Sequence, residues 1–247
     1  MYPTIFRIGI FDVTSFGVMV AIGALVGLWV FGRELARSGL PTSGSDAAMA
    51  GVFGGLAGAK LLWVAEHLGE EPFRDLLFSR GGMSWFGGFA GGVLTALMFM
   101  WRMRLPIVPM LAASTPALAI GHAIGRIGCF LVGDDYGRPS SLPWAVAFPK
   151  GLPPTDVPVQ PTQLYEMAAL LVVAWLLIRW RRRGVADAIV IGRYLVLVGA
   201  IRFAIEFIRV NQRLVGPFTL AHMVSAALAI VGLIILIASR RHVPQPG

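Results

Sequence analysis

Charge is scarce in this chain. Only 14% of its 247 residues are charged and 56% are hydrophobic, with a mean hydropathy of +0.73. Soluble domains of ordinary composition carry roughly 25% charged residues. So few charges cannot dress an aqueous surface, so the solvent for most of the chain is lipid. Cysteine is nearly absent too: Cys129 stands alone, which excludes an intramolecular disulfide and a multi-cysteine metal site. The four histidines, His67, His122, His222 and His242, have no metal-ligand spacing, and no nucleophile elbow supports Ser-His-Asp chemistry. No metal is expected. There is no heptad repeat, low-complexity tail or second-domain boundary, so residues 1–247 are expected to form a single integral-membrane domain. Met1 to Val13 is mixed, with Asp12 just before the first long apolar run and no small-residue cleavage site after it, so that run is expected to stay as a membrane helix.

What is present is a series of apolar runs. Seven are long enough to cross a hydrocarbon layer of roughly 30 Å: about 14–33, 47–65, 84–101, 107–125, 163–180, 188–208 and 218–238. The expected fold class is therefore all-α, polytopic, with about seven transmembrane helices. The net charge of +8 does not point to nucleic acid, because the arginines fall in short clusters between the runs. Arg33 and Arg37, Arg102 and Arg104, Arg179 with Arg181 to Arg183, and Arg240 with Arg241 follow alternate runs. The positive-inside rule then puts the N-terminus outside and the C-terminus in the cytoplasm. Two outer connections result, about 66–83 and 134–162, the second rich in proline. A long loop of that kind usually carries function.

The most informative stretch runs from Gly125 to Gly137, with Arg126, Asp134 and Asp135 at the end of an apolar run among four glycines. Charge at bilayer depth is expensive and marks a functional site, and closely spaced glycines let backbone N–H groups approach an anion. A pocket for a charged group carried by a lipid is expected. Arg202 and Glu206 lie four residues apart, on one helical face that Arg209 extends. They form either a structural ion pair or an arginine fork for phosphate or carboxylate. Thr162 is placed to cap a helix. Gln163 and Glu166 share a face just inside it, suited to a polar network reaching Arg126 or Arg202. Lys60 reads as a snorkelling side chain, Cys129 as a small buried hydrophobe, and His122, one turn before Arg126, as a packed or hydrogen-bonded histidine. Gly51-x-x-x-Gly55 and Gly87-x-x-x-Gly91 match close helix packing. The paired glycines of Gly81 to Gly88 instead suggest a loop packed on the membrane surface or a cavity.

Gly125-Arg126-Ile127-Gly128-x-Phe130 with Gly133-Asp134-x-x-Gly137, Pro143-Trp144-Ala145-Val146-x-Phe148-Pro149, Pro161 to Glu166, and Arg202-Phe203-x-x-Glu206-Phe207-x-Arg209 occur in that order. Together they resemble the blocks of the prolipoprotein diacylglyceryl transferases over nearly the whole chain. The resemblance implies a seven-helix enzyme of the bacterial inner membrane. Such enzymes transfer the diacylglyceryl group of phosphatidylglycerol to the lipobox cysteine of prolipoprotein signal peptides. A thioether forms and glycerol 1-phosphate leaves, with no cofactor. It implies a catalytic set of Arg126, Arg202, Glu206, Asp134 and Glu166, and substrate contacts from Arg126, Gly137, Gln163, Tyr165, Arg202, Arg209, Gly87 and Gly88. The base that activates the thiol stays open among Asp134, Glu166 and Glu206. Three positions depart from the family pattern: Phe86 stands where many members have histidine, Phe16 where many have tyrosine, and Cys129 where many have asparagine. Phenylalanine accepts no proton, so a base at position 86 is unavailable. Two other classes share such a pocket. One is a phospholipid-binding or flippase-like relative without chemistry; the other is a small-anion transporter, whose usual repeat of broken helices is not visible.

Overall fold

The structure, a computed structural model, describes residues 4–8, 11–70, 72–78, 82–210 and 216–240. Met1, Gly81, Arg241 and His242, used above, lie outside the described residues. Among the described residues eight helices follow a short hairpin of β1 (Thr4–Ile8) and β2 (Phe11–Thr14): α1 (Ser15–Arg37), α2 (Gly44–Glu66), α3 (Phe73–Phe78), α4 (Trp85–Arg102), α5 (Ile107–Val132), α6 (Thr162–Arg182), α7 (Asp187–Glu206) and α8 (Leu220–Arg240). A second antiparallel pair, β3 (Val146–Phe148) and β4 (Thr155–Val159), sits inside the proline-rich connection. The fold was expected to be all-α and this connection a long loop; within it Val146 pairs with Val159 and Phe148 with Thr155.

Among the described residues six helices are long and apolar enough to span a membrane: α1, α2, α5, α6, α7 and α8. The difference from the expected seven is α4. It has 18 residues, about 27 Å at 1.5 Å per residue, and four glycines in its first half dilute its hydropathy.

The chain forms two compact units, residues 31–110 and residues 1–30 with 111–247. In the first, α2 and α4 meet through glycines. A Cβ added to Gly58 would fall on the Gly87 carbonyl oxygen, and one added to Gly91 on that of Gly54. Backbones can approach this closely only where side chains are missing.

In the second unit, Ala112 and Ala119 of α5 pack with Val173, Ala174 and Leu177 of α6 and Val190 of α7 in one buried cluster. Pro116 lies inside α5 and supplies no N–H to the Ala112 carbonyl. The Thr115 hydroxyl donates to that oxygen instead, at 2.9 Å. Gly192 and Gly199 of α7 pack on Leu236, Gly232, Ser225 and Ala229 of α8, which fixes the rotation of α7. The arginine face of α7 is thereby aimed.

Candidate functional site

Helix α5 runs seven residues beyond its expected end, so Arg126 and Cys129 are helical rather than part of a glycine loop. The expected backbone anion nest is therefore corrected. Gly125 and Gly128 lie within the helix, where N–H groups serve the helix ladder, and Gly128 faces Phe16 and Met19 of α1. Of the motif's glycines only Gly133 has a left-handed φ, +74°. It ends the helix, and Gly133 N–H and Asp134 N–H both donate to the Cys129 carbonyl.

Thr162 does not cap α6. Pro161 occupies the cap position without a side-chain hydrogen bond, and the Thr162 hydroxyl donates to the Asp135 carbonyl at 2.7 Å. Gln163 Nε2 donates to the Asp134 carbonyl. Gly137 N–H donates to the Gln160 carbonyl, and Arg138 N–H to that of Ile208. A Cβ on Gly137 would meet Thr162 Cγ2 at 2.8 Å. This stitching holds the Asp134–Asp135 turn against the start of α6 and the end of α7.

The charged side chains then close on themselves. Arg126 Nε lies 3.0 Å from Glu166 Oε2, and Arg202 Nη1 lies 3.7 Å from the same oxygen. Arg202 Nη2 is 2.9 Å from Glu206 Oε2, which Arg209 Nε approaches at 4.0 Å. Arg209 Nη2 pairs with Asp135 Oδ1, and Asp135 Oδ2 returns to Arg126 Nη1 at 3.0 Å. Three guanidinium groups and three carboxylates thus alternate in a closed cycle drawn from α5, α6, α7 and the two loops. Unpaired, the buried members Arg126, Glu166, Glu206 and Arg209 would each cost several kcal/mol. Arg126 Nε, Arg126 Nη2, Arg202 Nη1 and Arg209 Nε are buried without a hydrogen-bond partner; three of them face a carboxylate in the cycle, and Arg126 Nη2 is the one left over. Arg202 is the most accessible of the three arginines, with 25% of its side chain exposed.

Of the expected site residues, Arg126, Glu166, Arg202, Glu206 and Arg209 are in the cycle, with Asp134 and Gln163 beside it. Tyr165 faces elsewhere, its hydroxyl accepting from Trp144 Nε1 at 2.6 Å. Gly137 serves backbone packing. Gly87 and Gly88 belong to the other unit, where Gly58, Leu62, Gly55 and Ala59 of α2 crowd them. Lys60 Nζ lies over the Trp63 ring at 4.6 Å.

Four residues were not anticipated. Asp135 bonds two arginines; its signal was the adjacent pair of aspartates, of which only Asp134 was weighed. His122 Nε2 is 3.6 Å from Glu166 Oε1; its spacing from Arg126 was legible, its partner on α6 was not. Thr219 donates its hydroxyl to Glu206 Oε1 at 2.7 Å and sits 3.1 Å from His222 Nδ1. His222 in turn is edge-on to Phe203 and near Phe207 and Phe218. Nothing in the local sequence announces that support.

Burial pushes the Asp134 carboxyl above the usual carboxylate range, against the opposing pull of Cys129, Arg126 and Arg209. Burial, and then the neighbouring Arg126 charge, lower Arg209 to about 10, so it stays cationic at neutral pH. Cys129, Asp134 and Asp135 are close enough to hold a metal ion. However, both Asp135 oxygens already serve arginines, and a cation there would face their charge. The donor set suits an anion instead.

These features define a class: a multi-pass membrane protein with an arginine–carboxylate centre embedded where its spans end. Comparison of sequences makes this more particular. The chain belongs to the prolipoprotein diacylglyceryl transferase family, whose sequence model matches residues 3–238. It is similar to the phosphatidylglycerol–prolipoprotein diacylglyceryl transferase of Pseudoalteromonas translucida, at 30% identity over 98% of this chain and 94% of the relative. The enzyme of that name from Geobacter sulfurreducens is 30% identical over 98% and 96%. That of Sinorhizobium medicae is 32% identical over 94% and 89%.

Proposed function

We propose that this protein transfers the diacylglyceryl group of phosphatidylglycerol to the cysteine thiol of prolipoprotein signal peptides in the bacterial inner membrane. The observation that carries the reading is the closed cycle of three arginines with one buried donor, Arg126 Nη2, unused. A headgroup phosphate enters by exchanging with a carboxylate. Asp135 is the exchangeable one, since its side chain is 39% exposed whereas that of Glu166 is 2% exposed. Arg126, Arg202 and Arg209 then hold the phosphate, while Glu166 and Glu206 keep the guanidinium planes in place.

Thiol sulfur attacks the glyceryl carbon next to the phosphate. The carbon–oxygen bond breaks, its electron pair leaves on glycerol 1-phosphate, and a thioether remains. Phosphate charge grows from one to two during that step, so fixed arginines hold the transition state more strongly than the substrate. Holding both substrates in one dry site adds a proximity gain.

In the membrane, α4 serves as the seventh span. The N-terminus lies outside and the arginine-rich ends of α1, α4, α6 and α8 lie in the cytoplasm, as the positive-inside rule requires.

The test is incubation of the purified protein, in nanodiscs containing phosphatidylglycerol, with a peptide bearing a lipobox cysteine. A mass gain of one diacylglyceryl group on that cysteine is expected. Lipid redistribution without adduct would place the chain among phospholipid-binding relatives without chemistry and contradict the proposal.

A further inference from the structure

The charged cycle leaves one requirement unmet: some group must take the thiol proton. Of its carboxylates, Asp135 gives both oxygens to arginines, and Glu206 accepts from Thr219 on one oxygen and faces arginines with the other. Glu166 divides its oxygens differently. Oε2 faces Arg126 and Arg202, and Oε1 faces His122 Nε2 at 3.6 Å. The imidazole is 42% exposed, so a substrate can reach it without entering the cycle.

Resting on the transferase reading, we propose that His122 is the general base, with Glu166 orienting it. Nε2 turns toward Glu166, which leaves Nδ1 to accept the proton from the prolipoprotein thiol. Sulfur keeps the electron pair of the S–H bond and forms the S–C bond. The pair of the broken C–O bond leaves with the phosphate, and the imidazolium passes its proton to that phosphate or to water.

Spacing supports the assignment. His122 and Arg126 stand one turn apart on α5, about 6 Å along the axis. An attacking sulfur about 3 Å from carbon lies at a comparable distance from the phosphorus of its leaving group. The charged groups facing the imidazole are Glu166 from α6, Arg126 from α5 and Arg202 from α7. Between Ser15 and Val30, α1 carries none. Glu166 offsets the two cations, and a neutral imidazole can accept a proton on one nitrogen while the other donates.

The experiment measures transfer to a lipobox peptide from phosphatidylglycerol, at pH 7 and pH 9.5, for wild type, His122→Gln, His122→Ala and Asp134→Asn. Phosphatidylglycerol binding to each serves as the check on folding. His122→Gln and His122→Ala are expected to lose about 100-fold in kcat at pH 7 with lipid binding unchanged. The deficit shrinks to about tenfold or less at pH 9.5, where solution already ionises a thiol of pKa about 8.5. Activity of His122→Gln within threefold of wild type at pH 7 overturns the assignment. Deficits equal at both pH values, or lost together with lipid binding, overturn it as a structural effect. A pH-dependent deficit found only in Asp134→Asn moves the base to Asp134. Wild type that forms no adduct at all overturns the transferase reading itself, and this one with it.

Discussion

Arg202 reaches two carboxylates from one guanidinium, Glu166 and Glu206, and that geometry belongs to arginine alone. Arg202→Lys puts a point charge where a planar fork spans two partners, and it is expected to lose most of the transfer activity. Arg126→Ala is expected to abolish it, by more than about 100-fold, the scale of a lost transition-state donor. Both variants should remain in the membrane fraction. Asp134 gives a pH signature. Its folded carboxyl titrates above its unfolded value because of burial, so the native state holds the proton more tightly. Stability is then fully present below about pH 4 and falls as pH rises through the folded value. Asp134→Asn removes that fall: its thermal midpoint is expected to exceed wild type at pH 7 and to match it near pH 3.5. At this scale the sequence was partly legible. Four-residue spacing put Arg202 with Glu206 on one face, and three-residue spacing put Gln163 near Glu166. It did not show that Asp135 closes the cycle, because Asp135 adopts a left-handed φ of +60° at a turn whose direction is set by α6 and α7.

Elements were legible where periodicity and length speak, and the ends were not. Most helices begin and finish within a few residues of the apolar runs, but α5 continues through Gly125-Arg126-Ile127-Gly128 because its last turns pack rather than unwind. Glycine therefore has two meanings in this chain. Gly91 of α4 has no room for a Cβ against the Gly54 carbonyl, and Gly91→Ala is expected to cost about 1–3 kcal/mol, the scale of overpacking. Gly125 of α5 has nothing within 4 Å of an added Cβ. Gly125→Ala there is expected to be neutral or to gain up to about 1 kcal/mol from helix propensity. Thermal unfolding of both variants in nanodiscs separates the two cases; equal losses would mean that the helix contacts are wrongly drawn.

For the molecule as a whole, composition announced lipid as solvent, and six helices satisfy that requirement outright. The seventh crossing and the orientation rest on arginine placement. Single cysteines introduced at Ser140 and at Arg183 in a Cys129→Ser background test them. An impermeant thiol reagent on intact cells is expected to label position 140 and spare position 183; the reverse pattern would invert the topology and place the centre on the cytoplasmic side. The division into two units was not visible in a sequence without linkers, since α1 and α5 each contribute to both.

All of this turns on an embedded arginine cycle that opens for a phosphate. The direct measurement is the affinity of the purified protein for phosphatidylglycerol and for diacylglycerol, which lacks the phosphate, in wild type and in Arg202→Ala. Wild type is expected to prefer phosphatidylglycerol by about 100-fold, the equivalent of about 2.7 kcal/mol, and the variant to lose most of that preference. Equal affinity for the two lipids in wild type, or an undiminished preference in Arg202→Ala, would contradict the account.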